Sequence, residues 1–343
     1  MEAVKNAAER LAGLAANGYH QSDVSDLRGK TALVTGGTGG IGFEVAKTFA
    51  LCNARVFLLS RKDENAEEAI SKIKELSSSA DVTFLQCDLG NLSMVKTVAD
   101  KLSQQEPRLD LLICGAGVGV NEYGETSDEL DRHMAVNHLG HMLLVNRLLP
   151  LLRKTSRIPD TSPPRIVSIA SELHRAAPSD VSFASVEELK DPSISAVALY
   201  GRSKLANILF TKYGLMDRVL TPNKDRILTV ATHPGAVHTG QQDQFKEAYG
   251  QVFGTMLKYT VIPFMRAPDQ GSLSTLWAAT SEDVETNTDY AGRYFTDPGE
   301  LGKESNQACD PELGARLWNL SEKLIKEKAG QDALLPWNKD ACE

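Results

Sequence analysis

Short apolar segments alternate with longer amphipathic ones along most of the chain, and this alternation restricts the fold more than any other feature. Apolar segments of this length are typical of parallel strands covered on both faces. Helical periodicity separates them, which predicts right-handed βαβ units in a doubly wound α/β sandwich. The predicted strands lie at residues 31–35, 55–59, 82–86, 109–114, 165–170, 226–231 and 292–295, and the helices at 40–52, 64–77, 92–104, 127–154 and 196–219.

Charge and cysteine content exclude several classes of function. Lys and Arg number 37 against 45 Asp and Glu, a net charge of −8 with no basic run, which disfavours a binder of nucleic acid or anionic membranes. The five cysteines form no Cys-x-x-Cys pair, so neither disulfides nor a zinc site are expected. The histidines lack ligand spacing, and no metal is predicted.

The hydrophobic pattern favours a cytoplasmic protein. Charged residues interrupt the N-terminal segment, so a secretory signal is not expected. The most apolar late stretch, residues 252–265, contains Lys258 and Pro263 and is too short to span a bilayer. We therefore expect no stable membrane insertion.

A glycine-rich turn follows the first strand and opens a helix. It reads Thr-Gly-Gly-Thr-Gly-Gly-Ile-Gly over residues 35–42, below called the glycine turn. Glycines let backbone N–H groups approach a pyrophosphate without Cβ atoms in the way, and the helix N-terminus adds partial positive charge. This strand-to-helix context favours dinucleotide binding over a flexible loop. The residues assigned to the cofactor here are Thr35, Gly36, Gly37, Thr38, Gly40, Ile41 and Gly42.

The second strand ends in a hydroxyl and two cations. An NAD site would place Asp or Glu here to accept from the ribose 2′-hydroxyl. This chain has Ser60, Arg61 and Lys62 instead. Because a guanidinium can grip a phosphate with its planar fork, the pattern favours NADP(H) over NAD(H). The alternative, two solvated cations at a strand end, stays open.

Asp88 and Leu89 follow the third strand and are also assigned to the cofactor. The Asp88 carboxylate can accept a hydrogen bond from an adenine amino group, or it can cap the helix that begins near Leu92. The two roles do not exclude each other.

Tyr200 and Lys204 are spaced to share one face of a helix. A phenol has a pKa of about 10, and a neighbouring ammonium is expected to lower that pKa, making the phenol usable as a general acid or base. Ser171 follows the fifth strand, where open α/β sheets collect functional groups. Its hydroxyl is predicted to hold a substrate oxygen. The alternatives are that Tyr200 and Lys204 are two ordinary surface residues and that Ser171 is a helix cap or a turn serine.

These motifs resemble the short-chain dehydrogenase/reductase family in its single-domain branch. The glycine turn, Ser171, the Tyr200–Lys204 pair and the segment His-Pro-Gly-Ala-Val-His-Thr at 233–239 carry the resemblance. Met-Ala-Val-Asn-His-Leu-Gly-His at 134–141 and Tyr-Gly-Arg-Ser-Lys-Leu-Ala-Asn at 200–207 are most similar to retinol-dehydrogenase and WW-domain-oxidoreductase-like members. The resemblance implies a Rossmann-type doubly wound fold with a seven-stranded parallel sheet in a single domain.

The resemblance also implies a role for each matched residue. Tyr200 would protonate the carbonyl oxygen or deprotonate the alcohol, Ser171 would orient that oxygen, and Lys204 would hold the nicotinamide ribose. Asn137 would hold a water that links Lys204 to solvent, and Thr239 would contact the carboxamide or the pyrophosphate. Hydride passes directly between cofactor and substrate, so no metal is implied. The remaining residues matched to the cofactor site are Gly115, Ala116, Gly117, Pro234, Gly235 and Val237.

One position departs from the family pattern. Cys114 and Gly115 stand where the family usually has Asn-Asn. Because the side-chain hydrogen bonds of those Asn residues are lost, a looser floor to the cofactor site is expected, with the chemistry retained. Cys114 is interpreted as a small buried residue and not as a nucleophile.

The segment at about 236–268 falls where the family places its substrate lid. It is rich in aromatic and aliphatic residues, which indicates a bulky, largely hydrophobic small-molecule substrate; the alternative is an amphipathic helix packed on the domain. The predicted function is NADP-dependent reduction of a ketone or aldehyde to an alcohol, or the reverse. Two alternatives stay open: NADPH-dependent reduction of a C=C bond, and a non-catalytic NADP-binding sensor.

The predicted organisation is a helical extension and linker at 1–28, one domain at 29–320 and a C-terminal tail at 321–343. Family members commonly pair through the two long helices, here 127–154 and 196–219, so a homodimer is implied. The N-terminal extension would either support or block that pairing.

Overall fold

The apolar segments pair into one sheet in the computed structural model, which describes residues 18–237 and 266–338. Within these residues the sheet has eight strands: β1 (Thr31–Thr35), β2 (Arg55–Ser60), β3 (Val82–Gln86), β4 (Leu111–Cys114), β5 (Arg165–Ile169), β6 (Leu228–Thr232), β7 (Tyr294–Asp297) and β8 (Glu300–Leu301). Their spatial order is β3-β2-β1-β4-β5-β6-β7-β8. The first seven are parallel, and β8 is antiparallel to β7.

Helices connect the strands and cover both faces of the sheet. Two of them, α4 and α6, change from α-helical to π-helical hydrogen bonding without a break. The described helices are α1 (Gly40–Leu51), α2 (Asp63–Leu76), α3 (Leu92–Gln105), α4 (Arg132–Met134, π-helical Ala135–Leu139 and Gly140–Ser156), α5 (Val186–Leu189), α6 (Ala196–Leu209 and π-helical Phe210–Leu220), α7 (Pro268–Gly271), α8 (Leu273–Thr280), α9 (Glu282–Thr286) and α10 (Pro311–Ala329). Short 3-10 turns lie at Gln21–Asp23, Glu172–Ala176, Thr288–Tyr290 and Gln307–Cys309.

The predicted fold class is confirmed, with one addition at the edge of the sheet. All seven predicted parallel strands are present. The eighth, β8, has two exposed residues and no apolar periodicity that would mark it in the sequence. The fourth predicted helix begins at Arg132 and not at residue 127, because Asp131 caps it by accepting a hydrogen bond from the Met134 N–H at 2.8 Å.

The core consists of two apolar layers, one on each face of the sheet. Successive residues of a strand point to opposite faces, so Leu33 belongs to one layer and Val34 to the other. All five residues of β1 are buried. Burial on both faces explains why the sequence of this strand does not alternate between apolar and charged residues.

The C-terminal helix α10 packs against α3 and α6, and the residues after it pack against α4. The Asn146 amide donates to the Leu335 carbonyl at 3.0 Å and accepts from the Leu335 N–H at 2.7 Å. Arg153 donates to the Trp337 carbonyl at 2.7 Å. Helix α10 runs continuously past residue 320, where the sequence places the start of a tail. The division of the chain into extension, domain and tail stays a prediction.

Candidate active site

A cleft of about 660 Å³ opens at the carboxyl edge of the sheet. The strand order reverses between β1 and β4, and this reversal leaves a crevice at the strand ends. The sequence-assigned residues that line the cleft are Gly36, Thr38, Gly40, Ile41, Gly42, Ser60, Arg61, Leu89, Gly115, Ala116, Gly117, Ser171, Tyr200, Lys204, Pro234, Gly235 and Val237.

The glycine turn has a backbone conformation and a packing that require glycine. Gly36 has φ 70° and Gly40 has φ 54°, in the left-handed region. A Cβ atom on Gly42 would lie 2.3 Å from the Gly36 carbonyl oxygen. Gly37 does not line the cleft and packs against Val34, whose carbonyl oxygen would lie 2.9 Å from an added Cβ. The turn therefore forms a cradle that side chains would fill, at the N-terminus of α1, and it fits a pyrophosphate.

Thr35 lies beneath the cleft and ties the glycine turn to the turn after β4. Its buried hydroxyl accepts hydrogen bonds from the Gly115 N–H at 2.8 Å and the Ala116 N–H at 2.9 Å. The same oxygen lies 2.8 Å from His141 Nε2. A Cβ on Gly36 would lie 3.0 Å from the Ala116 Cα. Thr35 thus pairs both backbone amides of the turn that lacks the Asn-Asn pair, and the looser floor expected there stays a prediction.

Two buried thiols lie at the floor of the cleft. Burial raises the pKa of Cys87 to about 12 and that of Cys114 to about 12. Both are therefore neutral thiols at physiological pH. Cys114 is a small buried residue, as the sequence predicts, and not an activated nucleophile.

The end of β2 presents one of its two cations to the cleft. Ser60 Oγ accepts a hydrogen bond from the Thr38 hydroxyl at 3.0 Å. Arg61 is exposed and lines the cleft, whereas Lys62 precedes the first residue of α2 and does not line it. Of the pair, only Arg61 is placed to reach a phosphate in the cleft.

Leu89 lines the cleft, whereas the neighbouring Asp88 does not. Asp88 Oδ1 accepts a hydrogen bond from the Gly90 N–H at 2.8 Å. Helix α3 is capped by Asn91, whose Oδ1 accepts from the Met94 N–H at 2.9 Å. The cap considered as an alternative role for Asp88 is thus made by Asn91, because an N-cap residue directly precedes its helix.

Ser171, Tyr200 and Lys204 meet at the wall of the cleft. Tyr200 and Lys204 share a face of α6, with Lys204 Nζ 5.5 Å from the centre of the Tyr200 ring. Lys204 Nζ also donates to the Ile169 carbonyl at 2.8 Å. The Ser171 hydroxyl lies close enough to the Tyr200 phenol to act on its pKa, and Ser171 Oγ accepts from the Leu173 N–H at 3.1 Å. The three groups predicted to act together are therefore adjacent.

Burial dominates the protonation of this pair. Burial raises the pKa of Tyr200 to about 12, although the hydrogen bond from Ser171 acts in the opposite direction. Burial also lowers the pKa of Lys204 to about 8. The lowered Tyr200 pKa expected from its ammonium neighbour is not found, because the apolar surroundings disfavour the phenolate more strongly. Near pH 7, Tyr200 is a neutral phenol and a proton donor.

Asn137 lies in the π-helical turn of α4, behind the cleft and not on its wall. Its Oδ1 accepts from the Val118 N–H at 2.7 Å, and its Nδ2 donates to the Val118 carbonyl at 3.1 Å. The same Nδ2 donates to Ser203 Oγ at 2.9 Å. Asn137 thus fixes a cleft residue and the helix that carries Tyr200. The water-holding role implied by the resemblance stays a prediction.

Beyond β6, the described chain stops at Val237 and resumes at Arg266. These two residues pair in a parallel β-bridge. Arg266 is buried, and its Nη2 donates to Asp297 Oδ1 at 2.7 Å. The base of the intervening segment is therefore anchored to β7. Thr239 and most of the predicted lid at 236–268 lie outside the described residues.

The family described as short chain dehydrogenase matches residues 30–250, more than half of the chain. The chain belongs to the short-chain dehydrogenase family. It is therefore a member of an oxidoreductase family that binds nicotinamide cofactors.

Its relatives within this family carry oxidoreductase names. The oxidoreductase bli-4, mitochondrial, of Neurospora crassa is 35% identical over 96% of this chain and 80% of its own length. Retinol dehydrogenase 11 of Mus musculus is 32% identical over 87% of each chain. WW domain-containing oxidoreductase of Homo sapiens is 32% identical over 90% of this chain and 71% of its own. The two member types named from the sequence motifs are thus confirmed as relatives.

Solved structures of similar shape support the fold. A crystal structure of an uncharacterized protein from Mycobacterium Paratuberculosis has a TM-score of 0.67 at 26% identity, covering 90% of this chain and 98% of that one. A 3-oxoacyl (acyl-carrier-protein) reductase from Agrobacterium tumefaciens C58 with NADP bound has a TM-score of 0.60 at 19% identity, covering 84% and 99%. The second likeness concerns the fold alone.

Several lining residues of this short-chain dehydrogenase were not predicted. Many are chain neighbours of assigned residues, and that adjacency is the signal that could have found them. Glu172, for example, directly follows Ser171, and His233 directly precedes Pro234. The unpredicted lining residues are Gly39, Leu59, Cys87, Val118, Gly119, Val120, Val136, Ile169, Ala170, Glu172, Leu173, His233 and Ala236.

Glu172 adds a negative charge to the cleft. Its Oε1 accepts from the Tyr294 phenol at 2.8 Å, and its Oε2 accepts from Arg175 Nε at 2.9 Å. Burial alone would raise the pKa of Glu172, but the hydrogen bonds from Arg175 and Tyr294 outweigh it and the pKa is lowered. The group is therefore a carboxylate at neutral pH, next to Ser171.

The histidines near the cleft are neutral. His174 is buried away from the mouth; its Nδ1 donates to the Ser171 carbonyl at 2.7 Å, and its Nε2 accepts from the Ser305 N–H at 3.1 Å. His233 lines the cleft, and burial lowers its pKa to about 4. In the part of the chain that the structure describes, no three His, Cys, Asp or Glu side chains are grouped as metal ligands. None of the helices described has the length and apolar character needed to cross a bilayer.

Proposed function

We propose that this short-chain dehydrogenase interconverts a carbonyl group and an alcohol on a bulky, largely hydrophobic small molecule, using NADP(H). The observation that carries the proposal is the contact between Ser171 and Tyr200, beside Lys204, at the wall of the cleft that begins at the glycine turn. A proton donor and a dinucleotide cradle thus border one space.

The cradle fits a dinucleotide, and the rim fits a 2′-phosphate. Gly36, Gly40 and Gly42 leave the space that Cβ atoms would occupy. Arg61 supplies a cation to the cleft where an NAD site would need a carboxylate. The positive charge of Arg61 supports NADP(H) over NAD(H), because it attracts the 2′-phosphate that the carboxylate of an NAD site would repel.

The chemistry requires one hydride and one proton. When bound, the nicotinamide supplies or accepts the hydride. In the reducing direction Tyr200, protonated near pH 7, gives its phenol proton to the substrate oxygen. Ser171 donates to that oxygen and orients it, and the ammonium of Lys204 stabilises the phenolate that remains. Asn137 is proposed to hold Val118 and Ser203 in place around this set.

The side chains at the substrate end of the cleft favour a hydrophobic molecule as the substrate. Val118, Val120 and Leu173 line it, and Leu173 is 38% exposed. An exposed leucine beside a reactive group is readily covered by an apolar substrate. Carbonyl reduction ends with a proton on the substrate oxygen, which Tyr200 beside Ser171 can supply, whereas reduction of a C=C bond ends with that proton on carbon; the arrangement therefore favours carbonyl chemistry.

The test is a panel of aromatic, aliphatic and terpenoid ketones assayed with NADPH and with NADH, for the wild type and for Tyr200→Phe. We expect reduction with NADPH, and a loss of kcat of roughly 10²–10⁴-fold in the variant with cofactor binding retained. Tyr19→Phe is the matched control, since its hydroxyl bonds Thr280 at 3.1 Å away from the cleft.

Other outcomes would select the alternatives. Turnover of conjugated alkenes that survives Tyr200→Phe would indicate a C=C reductase. NADPH binding with no turnover of any carbonyl or alkene would indicate a sensor. Preference for NADH would contradict the role given to Arg61.

We also propose a location and a mode of assembly. Cys52, Cys87, Cys114 and Cys309 are unpaired thiols, which supports a reducing compartment such as the cytoplasm. Cell fractionation would distinguish the cytoplasm from mitochondria, the location that appears in the name of the Neurospora crassa relative. A homodimer through α4 and α6 would have to include residues 330–338, which pack on α4; light scattering would establish whether it forms.

A further inference from the structure

His141 occupies a buried junction between segments that border the cleft, and the proposed mechanism does not use it. It lies on α4 one turn after Asn137 and is 3% exposed. Its Nδ1 lies 3.0 Å from the Asn137 carbonyl oxygen, and its Nε2 lies 2.8 Å from Thr35 Oγ1. One imidazole thus links α4 to the start of the glycine turn.

The partners determine where the protons lie. A carbonyl oxygen only accepts, so His141 Nδ1 must carry a proton toward Asn137. Burial lowers the pKa of His141 to about 4, which leaves a single proton on the ring and makes Nε2 an acceptor. The Thr35 hydroxyl then donates to Nε2, in preference to the Ile113 carbonyl, which lies farther away at 3.2 Å. Both lone pairs of the Thr35 oxygen remain for incoming N–H groups.

Those N–H groups belong to the floor of the cofactor site. Gly115 and Ala116 both donate to the Thr35 oxygen, and Ala116 packs directly against Gly36 of the glycine turn. If the Thr35 hydroxyl donated to the Ile113 carbonyl instead, its lone pairs would rotate with the proton and turn away from these two amides. The orientation of the hydroxyl therefore decides whether the floor is fully hydrogen-bonded.

We propose that His141 is a positioning residue for the nicotinamide cofactor, which acts through the Thr35 hydroxyl to hold the Gly115–Ala116 turn against the glycine turn. The proposal rests on the cofactor binding proposed above. It assigns to a side chain of α4 the support that the Asn-Asn pair would otherwise be expected to give to a floor that has Cys114 and Gly115 in its sequence.

The experiment measures NADPH dissociation constants by fluorescence titration for the wild type, His141→Phe, His141→Gln and Thr35→Val. His138→Phe is the matched control: His138 is also buried on the same helix, but it pairs with Ser321 Oγ at 2.8 Å and not with Thr35. We expect the control to keep the wild-type affinity, whatever it does to the melting temperature.

His141→Phe is expected to weaken NADPH binding about tenfold or more, with kcat at saturating cofactor changed far less. Thr35→Val should weaken binding similarly, and the double variant should bind no more weakly than the worse single variant, since one network is lost. His141→Gln, which keeps a donor and an acceptor, should recover part of the affinity.

Three results would overturn the proposal: an affinity of Thr35→Val within about twofold of the wild type, additive losses in the double variant, or an equal loss in the His138→Phe control. Because Thr35→Val is nearly isosteric, it tests the network even if His141→Phe does not fold. A wild type that binds neither NADPH nor NADH would instead refute the proposed function and leave the geometry of His141 unaffected.

Discussion

The two ends of the cleft are built in different ways. The cofactor end consists mainly of glycines and backbone amides, held from beneath by Thr35, Asn137 and the start of α1. The substrate end is made by side chains from separate turns, among them Leu173 and Val120. We expect that one of these side chains can be replaced without altering the backbone of the other turns.

This difference predicts that the cofactor end tolerates fewer substitutions than the substrate end. A pyrophosphate is recognised by N–H groups whose placement depends on the fold, so the sequence there is restricted to residues without a Cβ. A hydrophobic substrate is recognised by the shape of a surface, and many side chains make an apolar surface. Four perturbations test how far the two ends are independent.

The largest effect is expected at Gly42. In Gly42→Ala the new Cβ would lie 2.3 Å from the Gly36 carbonyl oxygen, so the glycine turn must shift. We expect NADPH binding to weaken roughly 100-fold and unfolding free energy to fall by about 1–3 kcal/mol. In Gly39→Ala the added Cβ meets nothing within 4 Å. Calorimetry should show an unchanged melting temperature for Gly39→Ala; an equal destabilisation in both variants would contradict the packing argument.

The second largest effect is expected at Arg61, and a comparison with Lys62 distinguishes the roles of the two cations that follow β2. Arg61→Ala should weaken NADPH binding roughly 10–100-fold and leave NADH binding unchanged, because it removes a charge-assisted contact to the 2′-phosphate alone. Lys62→Ala should change either affinity less than about threefold, since Lys62 does not line the cleft. Isothermal titration with both cofactors measures the four constants. Similar losses for NADPH and NADH in Arg61→Ala would mean that Arg61 acts on the pyrophosphate.

A third perturbation concerns Lys204, where the two ends meet. Its pKa is about 8 in the folded protein against 10.5 when unperturbed. Between these pH values the folded protein binds fewer protons than the unfolded chain, so the free energy of unfolding rises with pH in this window. The contribution is at most about 3 kcal/mol. Urea unfolding from pH 7 to pH 10.5 should show this rise in the wild type and lose it in Lys204→Met; identical profiles in the two proteins would contradict the lowered pKa of Lys204.

The smallest effect is expected at Glu172. In Glu172→Gln, kcat/KM for an anionic ketone should rise several-fold, about three to ten, relative to a neutral ketone of the same size, because a carboxylate beside Ser171 repels it. NADPH affinity should stay constant. Glu187→Gln, an exposed change on α5, is the control and should leave the ratio unaltered. A parallel change in cofactor affinity would show that the two ends are coupled.

Regular features were predictable from the sequence because they follow from periodicity. The strands of a parallel sheet are apolar on both faces, and the glycine turn has its own composition, so β1, α1 and the motif between them were all found. The same holds for the Tyr200–Lys204 pair, whose spacing alone places both residues on one face.

Other features depend on contacts between distant parts of the chain and leave no local signal. Thr35 and His141 are 106 residues apart, and neither has a composition that marks it as a partner of the other. From the sequence, Asp88 is a candidate helix cap, but Asn91 makes the cap, because the position of the helix start decides which residue it is. The pKa of Tyr200 depends on how deeply the fold buries the phenol, and the spacing between Tyr200 and Lys204 carries no information about burial.

The bridge between Val237 and Arg266 has a consequence for how this protein could be re-engineered. Val237 and Arg266, which flank residues 238–265, are paired with each other, and Arg266 is bound to Asp297 of β7. A segment whose ends are held together can be replaced by one of another length at little cost in closure entropy. Chimeras that take this stretch from a relative should therefore keep the sheet and NADPH binding while acquiring a different range of ketones.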